Sequence, residues 1–137
     1  MTILLDSTFL YALKAKNDKY SERASEILLD VNKKELLLTN YLVLNETITL
    51  AVARSKANTS FMEKIFEIIW GQEKFFKIIQ LTPHDFREVF EVLRKFSTPK
   101  KLLSFVDASL IFLNNKFNAK AILSFNSHFD GIISRIF

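Results

Sequence analysis

Three carboxylates stand apart from the other acids of this 137-residue chain. Asp6 follows Ile3-Leu4-Leu5, Glu46 is the sole charge between Tyr41 and Ala53, and Asp107 is the sole charge between Leu102 and Leu113. Most of the 15 Asp and Glu sit among Lys and polar residues, the pattern of solvated helix faces. An ionised carboxylate in apolar surroundings is costly unless it is paired, hydrogen-bonded or bound to a metal. No Arg or Lys lies inside the same apolar stretches to serve as a local partner. Carboxylates brought together repel, and a divalent cation is the simplest way to hold them. An all-oxygen donor set suits Mg²⁺ or Mn²⁺. Such a cation lowers the pKa of a bound water and stabilises charge on a phosphoryl oxygen, so no side chain has to become a covalent nucleophile. Taken singly, each acid has a plainer role open to it. Asp6 is placed to cap a helix, Glu46 to reach solvent from an exposed stripe, and Asp107 to pair with a distant Arg.

The rest of the composition removes competing chemistries. There is no Cys, which excludes disulfides, thiol catalysis and Cys-based zinc sites and fits a reducing compartment. The two His, His84 and His128, form no H-E-x-x-H pattern, and Ser-His-Asp chemistry is a poor competitor. The two Gly, Gly71 and Gly131, cannot build a P-loop or a G-x-G-x-x-G turn. The start has no basic region or small-residue cleavage site, and no apolar run approaches the ~18 residues that span a membrane. The expectation is a cytoplasmic protein without a membrane segment. A net charge of +4 permits a polyanionic partner. Fourteen Phe are a heavy load for one small core, so some are expected on the surface, where a protein partner such as a second copy would cover them.

The elements that must position the acids follow from periodicity. Length and hydrophobic share (49%) indicate one folded domain over residues 1–137, with no linker or repeat. Thr2 to Leu5 reads as a first strand, and Ser7 or Thr8 as the cap of a helix reaching about Lys16. Tyr20 to Val31 has amphipathic helical spacing, Glu35 to Leu38 reads as a strand, and Thr39 or Asn40 opens an apolar helix to about Ser55. Asn58 to Trp70 is a helix with Gly71 at its end. Phe75 to Leu81 reads as a strand, and Thr82-Pro83-His84-Asp85 starts a helix to about Phe96. Ser104 to Lys116 is a second nearly all-apolar helix, Ala119 to Phe125 a strand, and Ile132 to Phe137 a short edge strand. Alternating strands and helices predict an α/β fold with a mainly parallel sheet covered on both faces. Sites in such sheets gather at the carboxyl ends of strands. Asp6 ends the first strand and Asn126 follows a later one, so the two meet if those strands are neighbours.

In order, these residues resemble the PIN-domain family, and within it the VapC-like toxin ribonucleases. The resemblance runs through Ile3-Leu4-Leu5-Asp6-Ser7-Thr8, then Leu44-Asn45-Glu46-Thr47, then Leu103 to Ser109 around Asp107, then Ala121 to Asp130. It implies a three-layer α/β/α sandwich and a Mg²⁺- or Mn²⁺-dependent endoribonuclease that hydrolyses RNA phosphodiester bonds. Asp6, Glu46 and Asp107 would hold the metal, with Asn126 completing the catalytic set and Thr8 and Ser104 supporting it. Thr8 is equally placed as a helix cap and Ser104 as a first-turn residue. The family usually carries Asp where this chain has Asn126, which removes one negative charge and favours one metal over two. Asp130 is a candidate substitute, or else orients the C-terminal segment.

The resemblance also implies partners. These are an RNA substrate, a small antitoxin that blocks the groove, and a second copy in a homodimer. An acidic groove repels phosphate unless cations compensate. Arg54 and Lys56 are candidates, and the cluster Arg94, Lys95, Lys100 and Lys101 is the favoured one, although a solvated helix end explains that cluster too. Asn126 keeps open a second reading, a non-catalytic or weakly active module that binds RNA or protein.

Overall fold

The computed structural model describes residues 1–31 and 33–137. In chain order the elements are β1 (Thr2–Leu5), α1 (Ser7–Lys14), α2 (Ser21–Asp30), β2 (Leu36–Asn40), α3 (Tyr41–Ser55) and α4 (Thr59–Ile69). They continue with β3 (Lys77–Ile79), α5 (Pro83–Phe96), α6 (Phe105–Phe117), β4 (Ala121–Leu123), a single 3-10 turn (Ser127–Phe129) and β5 (Arg135–Ile136). The five strands form one sheet in the order β3-β2-β1-β4-β5, and every pairing is parallel. Helices flank it on both sides, giving the expected α/β/α sandwich.

The three central strands are nearly continuous apolar runs because both of their faces are covered. Ile3, Leu4, Leu5, Leu37, Leu38, Ile122 and Leu123 are all buried. Leu4 sits opposite Leu38 on one side and Ile122 on the other. The edge strands are short and half-exposed. β3 covers three residues where Phe75 to Leu81 was expected, because it pairs only with the end of β2. β4 covers three residues where Ala119 to Phe125 was expected. The tail does add an edge strand, β5.

Helix starts follow the capping rules. Of the candidates for α1, Asp6 and not Ser7 or Thr8 is the N-cap, accepting from the Ser7 N–H at 2.8 Å. Ser104 is the N-cap of α6 and not a first-turn residue. Asn40 caps α3 and Thr82 caps α5, as read from the sequence. α3 is apolar along most of its length, yet Tyr41 and Val52 are exposed and the buried stripe is Val43, Leu44, Thr47 and Ala51. α3 ends in two successive left-handed residues, Lys56 (φ 55°) and Ala57 (φ 59°), which turn the chain into α4.

After β3 the chain passes through α5 and α6, packed on one another, and returns to the far side of β1. Strand order therefore reverses between β1 and β4. The crevice at the carboxyl ends of those two strands is the place where such sheets bind ligands. Among the described residues, no helix is long and apolar enough to cross a membrane.

Candidate active site

Asp6 sits at the reversal point. Its backbone N–H donates to the Leu123 carbonyl of the neighbouring strand at 3.1 Å, so the β1–β4 pairing itself fixes its position. The residue is 1% exposed. Two hydroxyls donate to its carboxylate besides the Ser7 N–H, and a third lies near it. The Ser124 hydroxyl donates to Oδ2 at 2.6 Å, the Thr8 hydroxyl donates to the same oxygen at 3.1 Å, and the Ser7 hydroxyl lies 3.4 Å from Oδ1. Thr8 and Ser124 are themselves oriented by backbone donors. The Phe125 N–H donates to Thr8 at 3.0 Å and the Asn126 N–H to Ser124 at 3.0 Å.

Burial is the main reason that the Asp6 carboxyl is pushed up from 3.8 to about 6. The Ser124 hydrogen bond opposes that rise, the charge of Asp107 adds to it, the Ser7 N–H opposes it, and the charge of Glu46 adds again. The other two acids thus lie within electrostatic reach of Asp6. Glu46, half-buried on α3, is tied in directly, because the Ser7 hydroxyl donates to its Oε1. Among the described residues neither Asp6 nor Glu46 has an ion-pair partner.

Asp107 is 5% exposed and works first as part of a capping box. Its Oδ2 accepts from the Ser104 N–H at 3.0 Å, while the Ser104 hydroxyl accepts from the Asp107 N–H at 2.9 Å. The same Oδ2 lies 3.6 Å from Nδ1 of His128, a buried ring nitrogen without a hydrogen-bond partner. Asn126 turns its Oδ1 back onto the His128 N–H at 3.0 Å and caps the 3-10 turn. Asp130 does not enter the site. It chelates Arg135, which holds its carboxyl below the usual range and anchors the C-terminal strand.

No protein-family model and no curated protein sequence matches the chain. Solved structures do. The Mycobacterium tuberculosis toxin VapC20, described as cleaving the sarcin-ricin loop, superposes with a TM-score of 0.81 at 20% identity, covering 96% of each chain. VapBC2 of Rickettsia felis, bound to a DNA fragment from its promoter, gives 0.66 at 18% identity over 99% of this chain and 98% of that one. FitAcB of Neisseria gonorrhoeae gives 0.60 at 12% identity over 98% and 96%. This chain has the PIN-domain fold.

On this PIN fold, the donor chemistry suits a hard divalent cation. Asp6, Glu46 and Asp107 supply only oxygens, and the charges of Asp107 and Glu46 add to the burial that pushes the Asp6 carboxyl up. Their arrangement is nevertheless closed on itself. Among the described residues no group of three such side chains forms a ready metal cage. The carboxylate oxygens are engaged instead by Ser7, Thr8, Ser104 and Ser124.

The cations favoured from sequence are placed unevenly. Lys101 donates to the Asp130 carbonyl at 3.0 Å, which brings it beside the 3-10 turn. Arg94 is held by Glu91 at 3.2 Å, Lys95 lies over the Phe96 ring, and Lys100 is exposed in the loop between α5 and α6. Arg54, at the end of α3, reaches Asp18 at 3.8 Å and covers the Tyr11 ring. Sequence reasoning passed over Ser7, Ser124 and His128. Ser124 and His128 lie inside the fourth motif, and their signal was position alone, directly after the strand beside Asp6.

Proposed function

We propose that this PIN-fold protein is a Mg²⁺- or Mn²⁺-dependent endoribonuclease, the cytoplasmic toxin of a VapBC-type pair. One observation carries the reading. Asp6 sits where strand order reverses, Ser7 links it to Glu46 of α3, and the charge of Asp107 at the start of α6 bears on it. The fold shared with VapC20, a sarcin-ricin loop cleaving toxin, supports RNA as the substrate. The fold shared with VapBC2 supports a small antitoxin partner. The exposed Phe66, Trp70, Phe86, Phe90 and Phe137 are the surface aromatics that an antitoxin or a second copy in a homodimer would cover.

Asp6, Glu46 and Asp107 would hold the cation. When bound, it supplies Lewis-acid stabilisation of phosphoryl charge and an ionisable water. The chain's own residues prepare that place. Ser124 and Thr8 aim Oδ2 of Asp6, Ser7 couples Asp6 to Glu46, and Ser104 fixes Asp107 at the start of α6. Asn126 shapes the turn that carries His128 and adds no charge.

Thermal unfolding with and without cation tests the cation directly. Mn²⁺ should raise the midpoint of the wild type and leave that of Asp6→Asn unmoved; equal responses would remove Asp6 from the site. The second reading, a binding module without catalysis, is favoured by Asn126 and by the closed hydrogen-bonding of the three acids. It predicts RNA binding with no cation response and no cleavage.

A further inference from the structure

Beyond the acidic crevice, a cavity of about 400 Å³ is lined by four cationic side chains. Three elements build it. Lys14 and Lys16 come from the end of α1, Arg54 from the end of α3 and Lys64 from α4, around Tyr11 and Phe61. No carboxylate lines it. Lys14 is paired with Glu73 at 3.1 Å and Arg54 lies 3.8 Å from Asp18. Lys16 and Lys64 are exposed and have no ion-pair partner among the described residues.

A neighbouring hollow shares part of its wall. A second cavity, of about 190 Å³, shares Tyr11 and Arg54 with the first and is walled at its other end by Thr8 and Phe125. Thr8 is the residue that donates to Asp6, and Phe125 directly precedes Asn126. Along α1, Thr8 and Lys14 are six residues apart, roughly 9 Å of helix. Asp18 and Lys19 also line this second cavity. The cationic basin therefore adjoins, across Tyr11 and Arg54, a hollow walled by the residue that holds Asp6.

We infer that this basin, built by Lys16, Lys64 and Arg54, holds the phosphate backbone of the single-stranded RNA whose scissile bond lies at Asp6, Glu46 and Asp107. The inference rests on the ribonuclease reading and adds the path of the substrate. A strand crossing three acids is repelled there, and it needs cations alongside to stay bound. The basin supplies Lys16 and Lys64, which have no ion-pair partner among the described residues, whereas Arg94 is paired with Glu91 and Lys101 donates to the Asp130 carbonyl. Tyr11 is 8% exposed, with its ring already packed on Phe61 and covered by Arg54. It offers no free face for base stacking, so the contacts are to phosphate and carry little base preference.

The test is fluorescence anisotropy of a labelled single-stranded RNA in EDTA, where nothing is cleaved. Lys16→Gln combined with Lys64→Gln should weaken binding about tenfold, equally for oligo(A) and oligo(U). It should also lower the slope of log affinity against log salt by about 1.4, two single-strand contacts at about 0.7 each. Both residues are exposed, so an unchanged melting temperature checks the fold. Unchanged affinity, or a larger loss from Lys95→Gln combined with Lys100→Gln, would overturn the inference, as would a base-selective loss. Cleavage by the wild type with Mn²⁺ is measured in parallel. If the basin variant loses RNA affinity but the wild type cuts nothing, the ribonuclease reading fails while the basin stands. If the wild type cuts and the variant binds normally, the basin fails alone.

Discussion

Asp107 does at the start of α6 what Asp85 does at the start of α5. Thr82 and Asp85 exchange backbone and side-chain hydrogen bonds at 3.1 and 2.8 Å, and Ser104 and Asp107 do so at 2.9 and 3.0 Å. Capping alone would thus account for Asp107. What separates the two is surroundings. The Thr82 N–H bond is the main cause that holds the Asp85 carboxyl below its ordinary value, whereas Asp107 presses its charge on Asp6 and faces His128. Asparagine keeps an accepting oxygen for the cap and removes the charge, so Asp107→Asn should unfold within a few degrees of the wild type and Asp85→Asn should do the same. Only the first should lose the stabilising response to Mn²⁺, read by thermal melts of both variants. Ser124→Ala removes the shortest hydrogen bond to Asp6 and should cost about 10- to 100-fold in Mn²⁺ affinity by calorimetry. Unchanged affinity would make Ser124 a packing residue. The three acids were legible because each is a lone charge in an apolar run. Ser7 and Ser124 were not, since a serine beside a strand end has many uses and only the pairing of β1 with β4 brings Ser124 onto Asp6.

At the scale of elements, a small polar joint couples α3 to α6. Asn40 accepts from the Leu42 and Val43 N–H groups to cap α3, and its amide donates to the Ser109 hydroxyl at 3.1 Å. Ser109 in turn donates to the Val106 carbonyl, and Asn40, Ser109 and the neighbouring Thr39 are fully buried. The joint sets the helix that carries Glu46 against the helix that carries Asp107. Asn40→Ala should lose the cap and leave Ser109 without its donor, a cost of about 2 kcal/mol by denaturant unfolding. A loss under about 0.5 kcal/mol would mean that packing alone sets the helix angle. Helix caps were the most readable part of the fold, since Asn40, Asn58, Thr82 and Ser104 each take the N-cap in a pattern that side-chain chemistry dictates. Strand ends were the least readable. Leu81 is apolar enough for a longer β3, but a strand extends only as far as its neighbour offers partners, and β2 ends at Asn40 opposite Ile79.

The whole molecule carries the cost of its site as a pH dependence. Asp6 binds a proton more tightly folded than unfolded, so between about 4 and 6 the native state holds more protons and stability falls as pH rises. The stabilisation that the protonated form provides is complete below the unfolded value of 3.8 and gone above about 6, a span on the order of 3 kcal/mol. In EDTA the unfolding free energy should decline across that window, and Asp6→Asn should flatten the decline. Glu35, Asp85 and Asp130, held below their ordinary values, act in the opposite sense, so a wild-type profile parallel to that of Asp6→Asn across the window is the result that would contradict the burial of an unpaired carboxylate. Strand order, too, belongs to this scale. The alternation of elements indicated a parallel sheet, but nothing local states that the chain crosses from β3 to the far side of β1, and that crossing is what makes Asp6, Ser124 and Asn126 neighbours. The measurement that bears most directly on the central claim is RNA cleavage by antitoxin-free protein, with Mg²⁺, with Mn²⁺ and with EDTA, for the wild type beside Asp107→Asn. The account predicts endonucleolytic cleavage by the wild type that requires either cation and is abolished in the folded variant. Cleavage that persists in EDTA, or a variant that cuts as fast as the wild type, would contradict it.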